Sequence, residues 1–110
     1  MRPDRLRLLD ALEQIELIRK FAAPGREAFF GDTLIQSAIL HRLALWGEAC
    51  RGLSAELRTV HPEIPWNQII AFLVVIHQYF GINLELVWAI IYGPSSSSLA
   101  TLGVCPWKRC

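Results

Sequence analysis

At 110 residues the chain can build one hydrophobic core, not two. Hydrophobic residues make up 53% of it and mean hydropathy is +0.32, apolar enough to imply that part of its surface is covered in an oligomer or complex. A formal net charge of +1 excludes a global field for nucleic acid and leaves only local basic patches.

The cysteines, Cys50, Cys105 and Cys110, are odd in number, and two crowd the last six residues. That argues against a disulfide framework and for a reducing, cytoplasmic setting. Arg2, Asp4, Arg5 and Arg7 head a charged amphipathic pattern, so no secretory leader is expected. The longest apolar run, Ile69 to Ile76, has eight residues, far short of the ~20 that cross a bilayer.

Along the chain, Pro3 suits a first helical turn, and Leu8, Leu12, Ile15 and Ile18 recur at spacings of three and four. Glu13, Glu16, Arg19 and Lys20 lie off that stripe, which predicts an amphipathic helix ending near Ala23-Pro24-Gly25. Arg26 to Phe30 has room for one or two turns. Asp32 or Thr33 can cap a second long helix to about Arg51, with Leu34, Ile35, Ala38, Ile39, Leu43, Leu45 and Trp46 as its apolar positions and Gly52 as its stop. Ser54 reads as the cap of a brief helix through Arg58, and "HPEIP", His61 to Pro65, as a connector.

Trp66 to Phe80 carries strand-like Val and Ile, yet nothing else in the chain reads as a strand to pair with it, so helix is the expectation. Gly81 closes that helix, and Asn83 caps a last one from Leu84 to about Tyr92. The pattern collapses from Gly93. The predicted architecture is an all-α bundle of four or five helices over residues 1–92, followed by an irregular tail over 93–110.

His41, Cys50, His61 and His77 fall at no metal-ligand spacing, and "GPSSSS" lacks the lysine of a phosphate loop, so neither a metal nor a cofactor is expected. Arg42, Arg51 and Arg58 either line a basic face or are solvated separately. His77 and Tyr79 close the apolar run. A histidine there suits the negative end of a helix, and a tyrosine suits a half-wet site; catalysis is the sharper reading of the same pair.

The runs "WGEACRGLSAELRTVHPEIPWNQI" and "IHQYFGINLELVWAII" resemble the HepT-like branch of the HEPN superfamily, small all-α toxins of bacterial two-gene toxin–antitoxin modules. The resemblance extends from Asp4 to Tyr92, and its most specific parts are Gly47-Glu48-Ala49, "HPEIPW" and H-x-Y-F-G followed by "VW". It implies an up-and-down bundle of the HEPN type, a homodimer with a cleft at its interface, and metal-independent RNA cleavage. In that chemistry His77 would be the acid or base on the ribose 2′-hydroxyl or the leaving oxygen, beside a phosphate-stabilising arginine. Tyr79 would be the acceptor of AMP from a minimal nucleotidyltransferase (MntA-like) antitoxin.

In the family, four to six residues separate the arginine from the histidine, and the positions so spaced from His77 are Phe72, Ala71 and Ile70. The interval from Trp66 to His77 is also one residue short of the family spacing. The resemblance therefore implies an impaired nuclease, with Gln78, Glu48, Arg42 and Arg51 as supporting candidates and Arg42 or Arg51 as replacements for the absent cation. The alternatives are an inactive module that pairs with or titrates the antitoxin, and a decayed gene product.

Overall fold

Helix α1 (Asp4–Ala22) begins where Pro3, extended at φ −61° and ψ 150°, turns its carbonyl to the amides of Leu6 and Arg7 at 3.0 and 3.2 Å. Proline is thus the residue that caps the helix; its missing N–H costs nothing at that point. Asp4 in the first turn and Arg19 and Lys20 in the last complement the helix dipole. The computed structural model describes residues 3–62, 64–71 and 83–93. Those residues form α1, α2 (Arg26–Gly31), α3 (Thr33–Arg51), α4 (Ala55–Val60), α5 (residues 66–71) and α6 (Leu84–Tyr92), with no strand among them. The architecture is all-α, one short segment richer than the four or five helices expected.

The core is a seam between α1 and α3, the most extensive helix contact described. Leu8, Ala11, Ile15, Ile18 and Ala22 recur at three and four and are buried against Ile39, Leu43, Trp46 and Cys50. Of the apolar positions expected on α3, Leu34 lies outside this seam, 76% exposed, and Leu45 is also exposed.

Gly25, at φ 105°, holds a backbone conformation that L side chains rarely adopt and so reverses the chain from α1 into α2. Asp32 rather than Thr33 caps α3, its Oδ1 accepting from the Leu34 amide at 2.9 Å. Gly52 ends α3 in ordinary right-handed conformation, φ −81°, so its backbone does not demand glycine. The Arg7 guanidinium occupies the space where a Cβ would stand, so a side chain there would make Arg7 move.

Ser54 caps α4 by accepting from the Leu57 amide at 3.1 Å, and it donates from both its amide and its hydroxyl to Asp4, at 3.0 and 2.6 Å. The first turn of α1 is thereby tied to the start of α4. In the connector, the buried Trp66 donates its indole N–H to the carbonyls of Arg58 and His61, each at 3.1 Å. Asn83 caps α6 through the amides of Glu85 and Leu86. Val87 and Ile91 then face the core, and Trp88 packs on Phe29 at 5.2 Å between ring centroids.

Candidate functional site

The two central candidates, His77 and Tyr79, and the supporting Gln78 lie outside the described residues, as do Cys105 and Cys110. The other supporting candidates, Arg42, Glu48 and Arg51, are all on α3. Arg42 is half-buried, and its Nη1 donates to Oε1 of Gln14 on α1 at 3.3 Å. Gln14 is the one buried polar side chain in the described core, 7% exposed, and a neutral amide leaves the arginine's charge intact. The stripe pattern alone could not identify it, because position 14 sits beside Ile15 at the margin of the apolar face.

Glu48 and Arg51 are exposed and meet one turn apart, Oε1 to Nη1 at 3.8 Å. Arg42 precedes Arg51 by nine residues, a rise of about 13 Å along the helix. The structure thus joins Glu48 to Arg51 and leaves Arg42 apart from both. An exposed pair of this kind contributes roughly 0–1 kcal/mol and leaves the Arg51 charge free to exchange partners with solvent.

Of the two readings of Arg42, Arg51 and Arg58, a shared basic face or separate solvation, the described contacts favour the second. Arg58 turns back, its Nη2 donating to the carbonyls of Arg51 at 2.6 Å and Cys50 at 3.3 Å. A cation at the last carbonyls of α3 suits the negative end of that helix. Cys50 beneath it is free and fully buried, and burial pushes its thiol far above the ordinary range, which makes it inert as a nucleophile.

The first described turns of α5 cover two of the three positions at which a phosphate-binding arginine is expected. Ile70 is half-buried and Ala71 exposed, and the residues from 66 to 71 include no cation. Among the described residues, no three His, Cys, Asp or Glu side chains gather as metal ligands, and no helix is long and apolar enough to cross a membrane.

The family model described as ribonuclease HepT-like matches residues 11–93. The chain belongs to the HepT-like ribonuclease family. A probable ribonuclease HepT of Thermococcus cleftensis is 36% identical over 86 residues, 74% of this chain and 76% of that protein. A putative RNase of Caldanaerobacter subterraneus subsp. tengcongensis is 32% identical over 93 residues, 83% of each chain. A gamma-glutamylcyclotransferase and putative RNase of Methanocaldococcus jannaschii is 34% identical over 94 residues; these are 83% of this chain but 42% of the longer protein. No solved structure matches. For this HepT-like chain, the match runs from the middle of α1 to the end of α6, so the helices that carry Arg42, Glu48, Arg51 and Arg58 all lie within it.

Proposed function

We propose that this HepT-like chain is the toxin component of a bacterial toxin–antitoxin module, cytoplasmic and homodimeric, with RNA as the substrate of its fold and a minimal nucleotidyltransferase antitoxin as its partner. The observation that carries the reading is the family match over residues 11–93, within which the sequence keeps His77 and Tyr79. Metal-independent cleavage of RNA needs a base to take the 2′-hydroxyl proton while that oxygen attacks phosphorus. An acid then protonates the departing 5′-oxygen as the P–O bond breaks. Of the three histidines, His77 is the one that the resemblance assigns to either proton transfer, and Tyr79 offers the hydroxyl that would accept AMP.

Nuclease activity in this copy is impaired on this reading, because Ile70, Ala71 and Phe72 stand where the phosphate-stabilising arginine belongs. Losing such a cation costs on the order of 3 kcal/mol of transition-state stabilisation, about two orders of magnitude in rate. The same observation favours a second reading, an inactive helical module that still pairs with or titrates the antitoxin.

Two assays test this. Incubation with a cognate nucleotidyltransferase and ATP should give an AMP adduct by mass spectrometry that Tyr79→Phe removes. In chelator, RNA cleavage should be weak or absent and little changed by His77→Ala. Robust cleavage abolished by His77→Ala would show that another cation, Arg42 or Arg51 first, completes the site. An adduct on Tyr92 instead of Tyr79 would mean that the acceptor is misassigned.

A further inference from the structure

Between α4 and the start of α5 lies an open groove of about 470 Å³, within the ~300–1,000 Å³ typical of small-ligand sites. Its floor is the buried pair Ile64 and Trp66, and its walls include Arg58, Pro65, Asn67 and Gln68. The floor is rigid, because the Trp66 indole is tied to two backbone carbonyls. The connector's prolines further limit its backbone freedom.

Three features of the walls point to one ligand class. First, Arg58 is held in place through Nη2 on the carbonyls of Cys50 and Arg51, while Nη1 makes no hydrogen bond to a described residue. No carboxylate among the described residues lies within ion-pair distance of it or lines the groove. A guanidinium so fixed, and unneutralised by a described residue, is a ready partner for a phosphate. Second, Asn67 and Gln68 are exposed and adjacent in sequence, and both line the groove. Each carboxamide offers a donor and an acceptor side by side, the pattern that matches the edge of a nucleobase. Third, the exposed Pro62 and the half-buried Pro65 put apolar ring surface beside these polar groups, against which the face of a base can pack.

We propose that this groove seats one nucleotide of single-stranded RNA, with Arg58 facing a phosphate and the Asn67 and Gln68 carboxamides reading the base edge. The proposal rests on the ribonuclease reading above and adds to it a subsite away from His77 in the sequence. It assigns to the groove a role in holding and selecting RNA that does not depend on the missing arginine.

The test is fluorescence anisotropy with a labelled ten-nucleotide single-stranded RNA and the full chain. Asn67 and Gln68 are exposed, so the double variant Asn67→Ala/Gln68→Ala should fold. It should bind the RNA about tenfold more weakly, with the salt dependence unchanged, because no charge is removed. Arg58→Gln, checked for folding by circular dichroism because it also caps α3, should lower the salt slope by about one. Binding by the double variant within twofold of the parent overturns the groove, as does a parent chain that binds no RNA. If Tyr79 takes up AMP while RNA binding ignores the carboxamides, the groove fails and the antitoxin reading stands. Carboxamide-dependent binding in a chain that takes up no AMP does the reverse.

Discussion

The α1–α3 seam and the attachment of α6 hold the same protein together by different means. In the seam, five residues of α1 and four of α3 are almost wholly removed from water, and the polar additions, Gln14 to Arg42 and Asp4 to Ser54, sit at its margins. Among the described residues, helix α6 puts Val87 and Ile91 in the core, packs Leu84, Trp88 and Ile90 against it, and is tied to α2 by Arg26, which donates to both Glu85 oxygens at 2.6 and 2.8 Å. Leu86 and Tyr92 remain exposed on it. Among the described contacts α6 is the more lightly fastened of the two, and it follows directly on the sequence that carries His77 and Tyr79. On the function proposed above, a region that admits RNA or an antitoxin's active site would be drawn from the less stable part of the fold.

Two tryptophans measure that contrast directly. Trp46, 1% exposed in the seam, should cost about 3–5 kcal/mol when replaced by alanine, a large share of the ~5–15 kcal/mol available to a small domain. Trp88→Ala should cost roughly 1–3 kcal/mol, since its ring is only half-buried and its aromatic pairings add about 0.5–1.5 kcal/mol to the area term. Urea denaturation gives both values. Hydrogen exchange should show the Trp88 loss confined to the amides of α6 and its neighbours. Equal losses from the two variants, or exchange that rises equally throughout α1 and α3, would break the distinction.

Much of this contrast was already present in the sequence. The stripe Leu8, Ile15 and Ile18, the caps Asp32, Ser54 and Asn83, and the ends of α3 and α6 all lie where local spacing and capping chemistry put them. Local rules succeed there because each depends on residues within one turn. What they missed depends on partners distant in the chain. Gln14 meets Arg42 across 28 residues, Asp4 meets Ser54 across 50, and the Arg7 guanidinium packs where a Gly52 side chain would stand. Leu34 and Leu45 are apolar positions of α3 that stay exposed, which periodicity alone cannot foresee. The candidate site was legible only through its resemblance to a family, since a histidine and a tyrosine at spacing two carry no chemistry of their own.

The charged contact between α2 and α6 sharpens the comparison at a lower energy. Arg26 also lies over the Phe30 ring at 4.6 Å, so its guanidinium is oriented before it meets Glu85. Both side chains are more than half exposed, which limits the pair to about 0.2–1 kcal/mol and makes it sensitive to salt. Glu85→Gln should lower stability by that amount in dilute buffer and by less at 1 M salt. A loss above ~2 kcal/mol would mean that the ion pair, and not the rings, fastens α6.

The smallest effect belongs to the margin of the seam and is read by pH. Asp4 accepts from the Ser54 hydroxyl and then from its amide, and these bonds hold its carboxyl below the ordinary aspartate value; a nearby Arg7 charge acts in the same direction. A depressed folded-state value means that the carboxylate stabilises the fold wherever it is ionised in both states. That contribution is fully present above the unfolded value of about 3.9 and is lost as pH falls through the folded one. Asp4→Asn should therefore be less stable than the parent at pH 7, and the two should converge below about pH 3. Because Asp4 is solvent-exposed, water competes for the same bonds, and the gap should stay smaller than any of those above. A gap that persists unchanged into acid would assign the clamp to side-chain shape and the Ser54 cap, with the charge of Asp4 playing no part.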